Sequence, residues 1–347
     1  MLHGQLCQLA ARRGGLSNCL SAYDFANPAS TRATHRYAVP ATLWFGHPKV
    51  RLIKIRTTSL FRVSDGHQRQ FVLRIQPTQR MPLHAVQAEL AWLTTLREQT
   101  DLRVPEPVRT PAGELVGRTH SDTPDDERLC ALFHWIPGRH KHHLLSRDAA
   151  LLGSMLGTLH HFASTYPLAA SLARWRFDSA AFAEQVKLLD LPTDNILSAN
   201  NRAMLRYAAE YVLSHLTILD TQPGSIGLIH ADTNLTNWLF QRDHVALLDF
   251  EVCCFGYYIF DIGRLLHEFE ASTVAIHDLV ASFQRAYIAA RPLPAWHDEQ
   301  IMAGKLMSLL DVVLWAMTLA PWVRQAWGEH RIYAAMAQIQ HAVDQIR

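Results

Sequence analysis

The sequence predicts an α+β protein in which a small, antiparallel β-rich lobe precedes a larger, mostly helical one. Three observations predict it. Strand-like runs crowd into residues 50–75, the texture beyond Arg139 is almost wholly helical, and one strand-like island between Ile226 and Leu248 interrupts the helices. The composition suits a packed core: of 347 residues, 49% are hydrophobic and 18% charged, far from a disordered profile. A chain of this length fits one large domain or two linked ones.

Residues 1–35 carry turn-formers around Asn27-Pro28-Ala29-Ser30 and are expected to form an irregular extension. Residues 36–128 then make the first lobe, 129–138 a hinge and 139–347 the helical lobe. Within the first lobe, Val50 to Ile55 is rich in β-branched residues with partial alternation, and Leu60-Phe61-Arg62-Val63 follows a short polar break. Ser64-Asp65-Gly66 signals a turn, and Gln70 to Ile75 makes a third strand, so three antiparallel strands in series are expected. Pro82 opens a helix running to about Arg97, on which Ala85, Glu89, Trp92 and Leu96 share a face. Glu89 has two local readings: a surface residue at the edge of the apolar stripe, or an inward carboxylate that needs a cationic partner. After Val104-Pro105-Glu106-Pro107, Leu129 to Ile136 reads as a buried strand and Pro137-Gly138 as a turn. Leu152, Met155, Leu156, Leu159 and Phe162 form one helical stripe and Leu205, Ala208, Val212 and Leu216 another, with more from Asp261 onward.

Several function classes are set aside on composition. The net charge of +2 offers no basic footprint for nucleic acid. The cysteines, Cys7, Cys19, Cys130, Cys253 and Cys254, show no CxxC and no even framework, so a reduced, cytoplasmic chain is expected. Met1 to Leu16 lacks an apolar segment with a small-residue cleavage site, which argues against secretion. Leu306 to Val323 is apolar enough to resemble a membrane span, but Asp311 sits near its middle and Pro321 near its end. A mid-bilayer Asp costs about 2.5–3.5 kcal/mol, so a buried helix and no membrane are expected. The 20 histidines make net charge climb below about pH 6.5.

The chemistry concentrates in the island. Trp238-Leu239-Phe240 and Val245 to Leu248 flank a polar turn and should pair as a hairpin, which brings Asn237 and Asp249 side by side. An amide oxygen beside a carboxylate suits a hard cation such as Mg2+, which takes one or two carboxylates and completes its shell with phosphates and water. Asp232, five residues before Asn237, is placed on the entering loop to act as a base rather than as a ligand.

His230-Ala231-Asp232, then Asn237, then Asp249-Phe250 twelve residues later match the His-x-Asp-x-x-x-x-Asn and Asp-Phe pattern of the protein-kinase fold. In wider context the sequence resembles the aminoglycoside phosphotransferase / choline kinase superfamily, closest in look to homoserine-kinase-like and stress-response-kinase-like bacterial members. Ile229-His230-Ala231-Asp232 is similar to that family's Ile-His-x-Asp, and the run from Asp249 to Ile262 to its metal-loop segment. Phe71 to Ile75, Ala88 to Leu93 and Val104 to Pro107 fit in order and spacing, so the resemblance spans residues 36–290.

The resemblance implies a protein-kinase-like bilobal fold and Mg2+-dependent transfer of the γ-phosphate of ATP (or GTP) to a hydroxyl of a small molecule. It implies Asp232 as the base and Asn237 and Asp249 as Mg2+ ligands. Arg74 would reach the α/β-phosphates with Glu89 as its helix partner, and Leu129 to Ile136 would be the hinge strand offering backbone groups to the base. His230 and Asp261 would brace the catalytic loop. Partners are then a nucleotide and a small hydroxyl-bearing substrate; oligomeric state is not encoded in any motif.

Some positions depart from the pattern. Arg74 stands where many kinases have Lys, and its planar fork is not a point charge. The segment Arg56-Thr57-Thr58-Ser59 lacks glycine; its backbone N–H groups and the Thr57, Thr58 and Ser59 hydroxyls either contact phosphates or form an ordinary hairpin turn. Ala231 replaces the commoner Gly and Glu251 the commoner second Asp. These departures keep a non-catalytic nucleotide-binding pseudokinase open as an alternative. A Ser/Thr protein kinase is a third reading, opposed by the lack of an activation segment between Phe250 and Asp261. His140, His142, His143 and His160-His161 are expected on a solvated loop and a helix surface rather than at zinc, and Cys253-Cys254 as a buried apolar pair. Asp311 and Trp315, one helical turn apart, are expected to pack between helices, with projection into an acceptor pocket as the other reading. Glu268, Glu270, Asp278, Tyr257, Tyr258, Trp315, Trp322, Arg264 and Arg285 are candidate acceptor contacts, and they converge on no single acceptor.

Overall fold

The computed structural model describes residues 42, 44–45, 47–55, 58–120, 127–167, 172–191, 197–271, 276–291, 298–320, 323–325 and 329–347. The expected extension over residues 1–35 lies outside the described residues, as do Arg56, Thr57, Pro321 and Trp322. Among the described residues the chain divides into two compact units, one ending at Pro137 and the other beginning at Gly138.

The described residues of the first unit form an antiparallel sheet and one helix. Strands β1 (Lys49–Ile55), β2 (Ser59–Ser64) and β3 (Gln70–Pro77) follow one another as the alternation predicts. Sheet order is β1-β2-β3-β6-β4, with β4 (Pro107–Val108), β5 (Gly117–His120) and β6 (Glu127–His134); β5 also pairs with β6. The strand expected over Leu129 to Ile136 begins two residues earlier and ends at His134. Its pairing with β3 runs only from Pro77↔Arg128 to Phe71↔His134. The β2–β3 turn is held by the Asp65 carboxylate, which accepts from the His67 amide at 3.0 Å and from the Arg69 amide at 2.8 Å. Because strand side chains alternate, Phe71, Leu73 and Ile75 point to one face and pack with Phe61, Val63, Cys130, Leu132 and Trp44. Arg74 falls between them and points to the other face, toward helix α1 (Leu83–Gln99). That helix buries Ala85, Glu89, Trp92 and Leu96, the face read from its spacing.

The second unit is helical around two small sheets. Its helices are α2 (Ser146–Thr165), α3 (Ser179–Val186), α4 (Ala199–Thr221), α5 (Tyr258–Leu266), α6 (Ile276–Ala290), α7 (Asp298–Met317) and α8 (His330–Ile346). Strands β9 (Trp238–Gln241) and β10 (His244–Leu247) make the expected hairpin, with Trp238 opposite Leu247. A second sheet, in the order β7-β11-β8, joins β7 (Arg176–Phe177), β11 (Cys254–Tyr257) and β8 (Ile226–Ile229). Strand β11 occupies part of the segment read from sequence only as a metal-loop motif. Four residues of mixed size carry no periodicity, and partners on both sides make them a strand.

Two helix pairs approach backbone to backbone. Helix α2 meets α6 through Gly153 and Gly157, where an added Cβ would lie 2.2 Å from the Phe283 carbonyl oxygen and 2.7 Å from that of Tyr287. Helix α5 meets α7 through Gly263 and Gly304; a Cβ on Gly263 would lie 2.2 Å from the Gly304 carbonyl carbon. Among the described residues, α7 is the one helix long and apolar enough to cross a membrane, and 67% of its apolar window is buried. It is a core helix: Ala303, Leu306, Met307, Leu310, Val313 and Leu314 have no exposed surface.

Candidate functional site

In the second unit the site is built around the end of β8. His230, Ala231 and Asp232 leave the strand, and Asp261, in the first turn of α5, holds them from beneath. Its carboxylate accepts from the His230 amide and the Ala231 amide, each at 2.7 Å, and its carbonyl accepts from the Thr233 hydroxyl at 2.7 Å. Asp261 has no exposed surface, so these charge-assisted bonds compensate its burial. His160 lies 3.1 Å from the same carboxylate through Nε2 and 2.8 Å from the Tyr287 hydroxyl through Nδ1. Burial holds its pKa below the usual value, against the pull of Asp261; the neutral ring donates from Nε2 and accepts at Nδ1. His160 was expected on a helix surface, and that expectation is corrected. It lies four residues after Leu156, on the apolar stripe of α2 and fully buried.

His230 is similarly fixed. Its Nδ1 accepts from the Asp232 amide at 3.1 Å, which leaves the proton on Nε2, 2.8 Å from the Leu248 carbonyl. The ring thereby ties the loop entering the hairpin to the strand leaving it, and Phe250 packs against it edge-on at 4.5 Å. Ala231 and Asp249 both adopt left-handed backbone, with φ of 66° and 65°. Arg174, which no sequence motif marked, donates to the carbonyls of Cys253 at 2.6 Å and Glu251 at 2.5 Å and fixes the backbone that follows Asp249. Glu251 is buried, as are Cys253 and Cys254.

Asp232, Asn237 and Asp249 come together within this unit. The amide nitrogen of Asn237 donates to the Asp232 carbonyl at 2.8 Å and to its carboxylate at 2.9 Å. Asn234 donates to the other carboxylate oxygen at 2.5 Å. Two acceptors around Nδ2 settle the orientation of the Asn237 amide and turn Oδ1 away from Asp232. The Leu248 amide donates to the Asn237 carbonyl at 2.8 Å, which places Asp249 next to Asn237 in the register of the hairpin. Asp249 is exposed and Asn237 half-buried. An amide oxygen held outward beside an exposed carboxylate is an all-oxygen donor set, which fits a hard divalent cation. Among the described residues no group of three or more His, Cys, Asp or Glu is arranged to hold a metal.

A third carboxylate stands near Asp232. Burial, with Asp232 adding to it, pushes the Glu268 carboxyl above its ordinary range against the opposing pull of Arg264. Next to it, burial together with Arg264 and Lys305 lowers His267 to about 3. Asp311 accepts from Gln185 at 3.0 Å and lies 3.5 Å from Arg264. Tyr257 and Tyr258 are buried and Asp278 is exposed.

In the first unit, Arg74 and Glu89 form a bidentate pair, Nη1–Oε1 at 2.7 Å and Nη2–Oε2 at 2.8 Å, with both side chains buried. Of the two local readings of Glu89, the inward one describes the structure. The Thr58 hydroxyl accepts from Arg80 at 2.9 Å. Ser59 is the buried first residue of β2, paired with Ile55 and Ile75, rather than a loop residue. Thr57 lies outside the described residues.

Solved structures share this fold. A microcompartment-associated aminopropanol kinase superposes with a TM-score of 0.72 at 21% identity, covering 89% of this chain and 97% of its own. An amicoumacin kinase in complex with AMP-PNP and Ca2+ gives 0.66 at 17% identity, covering 88% and 96%. A choline kinase from Cryptosporidium parvum Iowa II gives 0.59 at 14% identity, covering 87% and 90%. At these identities the likeness shows the protein-kinase-like fold. The sequence finds no match among curated proteins. The model of the phosphotransferase enzyme family (APH) matches residues 50–300, well over half of the chain, and the protein belongs to that family.

Proposed function

We propose that the chain transfers the γ-phosphoryl group of ATP or GTP to a hydroxyl of a small molecule. The observation that carries this reading is the Asn237 amide, locked by Asp232 on one side and held by the hairpin beside Asp249 on the other. Asp232 takes the proton of the acceptor hydroxyl as its oxygen bonds to phosphorus, while the bond to the bridging oxygen breaks and the nucleoside diphosphate departs. The two amides on Asp232 keep its carboxylate oriented for that proton. Asn237 and Asp249 would hold Mg2+, which when bound neutralises phosphate charge. Arg74, whose two Nη groups Glu89 holds, meets the α/β-phosphates through its remaining N–H bonds. Thr58 supplements it, and Thr57 and Ser59 stay in the proposal as parts of the same segment.

The test is a thermal-shift titration with ATP, GTP and ADP, with and without Mg2+, beside an acceptor screen that follows release of nucleoside diphosphate. A ligand at 100 times its dissociation constant stabilises by about 2.7 kcal/mol, a shift of about 4 °C for a chain this large. Asp249→Ala should lose the Mg2+-dependent part of the shift. Asp232→Ala should keep it and lose turnover by about 10²-fold or more. Equal loss of binding and turnover in Asp232→Ala would sink its role as base. Nucleotide binding with no turnover on any acceptor would favour the pseudokinase alternative.

A further inference from the structure

Arg264, a candidate acceptor contact in the sequence, reaches Asp232 directly. It lies one turn beyond Asp261 on α5, so the residue that anchors the loop backbone and the residue that meets the loop carboxylate share a helix face. Its Nη2 is 3.5 Å from Asp232 Oδ1, and its Nη1 is 3.3 Å from the Ser308 carbonyl and 3.5 Å from Asp311 Oδ2. Asp311 is in turn held by the Gln185 amide at 3.0 Å. The Arg264 side chain is 11% exposed, and its guanidinium lies 5.6 Å from the Phe260 ring centroid.

The backbone contact between Gly263 and Gly304 makes this reach possible. It brings α5 against α7 one residue before Arg264 and one helical turn before Ser308. At 3.5 Å these are charge contacts rather than tight hydrogen bonds, and in a half-buried site they are weakly screened. The Asp232 charge also helps to push the Glu268 carboxyl above its ordinary range, as like charges do. Arg264 stands against both. A planar fork can serve two carboxylates on different elements at once, which an ammonium on a flexible stem does less well.

Resting on the phosphotransferase reading, we propose that Arg264 is a positioning residue: strung between Asp232 and Asp311, it holds the Asp232 carboxylate in the orientation from which it takes the acceptor proton. Asp311 is the anchor that keeps Arg264 there. This gives the acidic residue at the middle of the apolar helix α7 a role in the site as well as in packing.

The experiment compares the full chain with Arg264→Met, Arg264→Lys, Asp311→Asn and the Arg264→Met/Asp311→Asn double variant. The readouts are turnover of Mg-ATP with water as acceptor, KM for Mg-ATP, and crystal structures of wild type and Arg264→Met. Expected are a tenfold or greater drop in kcat for Arg264→Met with KM for Mg-ATP within twofold, and partial recovery in Arg264→Lys. Asp311→Asn should fall in the same direction, the double variant should be no slower than Arg264→Met, and the Asp232 carboxylate should leave its wild-type rotamer. A merely structural role would lower stability without splitting kcat from KM, and that result would overturn the proposal. So would an unmoved Asp232 with wild-type kcat in Arg264→Met. Should Arg264→Met fail to fold, Asp311→Asn and Arg264→Lys carry the same kinetic comparison. Asp232→Ala separates the two failures: if it turns over as fast as wild type, the phosphotransferase reading falls. If it is inactive while Arg264→Met is fully active, only the positioning role falls.

Discussion

Ala231 is held in a backbone conformation that an alanine resists. Its φ of 66° places it in the left-handed region, where a side chain costs about 1–2 kcal/mol. The bond from its amide to Asp261 at 2.7 Å keeps it there, so loop geometry wins over local preference. Ala231→Gly relieves that strain and gives back about 0.5–1 kcal/mol in the extra entropy glycine loses on folding. A net gain of about 0.5–1 kcal/mol is expected, read as a higher urea midpoint with unchanged slope; a loss of stability would mean that Ala231 is not strained. The departure from the commoner Gly was visible in the sequence, and its consequence was not, because only the fold reveals the sign of φ. Asp249 shares the conformation with less penalty, since Asp tolerates it better than most residues. Neighbours along the chain were legible: Asn237 and Asp249 follow from the hairpin. Asn234 was not singled out, although it lies only two residues from Asp232, because an Asn in a loop has many possible partners.

At the scale of elements, the crossing of α5 and α7 matters most. It carries Asp261 and Arg264 on one side and Ser308 and Asp311 on the other. A Cβ on Gly304 would lie 2.2 Å from the Ile259 carbonyl oxygen, and backbone cannot swing aside as a side chain can. Gly304→Ala gains about 1 kcal/mol of helix propensity against overpacking that costs about 1–3 kcal/mol at least. Strain wins where the clash is with backbone. The expected result is a net loss of about 1–2 kcal/mol together with lower turnover, because α5 must move. Gly66→Ala, with nothing within 4 Å of its added Cβ, is the control and should be near neutral. Equal stability of the two variants would show that the helices are not in backbone contact. Helix faces were readable from spacing, as α1 and α2 illustrate. Which two helices would meet at Gly263 and Gly304 was not, because a small residue marks a close approach without naming the partner.

For the molecule as a whole, the histidines set the response to acid. His267 is held to about 3, well below the ordinary imidazole value, by burial and by Arg264 and Lys305, and burial lowers His160 as well. Both are neutral in the fold and take up a proton on unfolding once pH drops below about 6.5. Stability from these groups is therefore complete above pH 6.5 and is lost as pH falls toward their folded values. By pH 5.5 His267 removes about 1.4 kcal/mol, and His160 acts in the same direction. Glu268, whose pKa is raised by burial, works the other way: its contribution is present at low pH and fades as pH rises through its folded value. Unfolding of the second unit measured at pH 7.5 and 5.5 should show the loss, and His267→Gln should reduce the slope by about one proton. An unchanged slope in that variant would show that His267 is already charged in the fold.

The meander of β1 to β3, helix α1 with its buried face, the hairpin and the candidate status of Asp232, Asn237, Asp249, Arg74 and Glu89 came from the sequence by itself, because each is a pattern within a few tens of residues. Tertiary structure alone decided that His160 joins Asp261 across 101 positions, that Gln185 holds Asp311 across 126, and that β11 completes a sheet between β7 and β8. Periodicity states which side of an element avoids water. It does not state what that side will meet. That choice belongs to the packing of the whole core, where helix crossings at glycine and the pairing of buried charges are settled together.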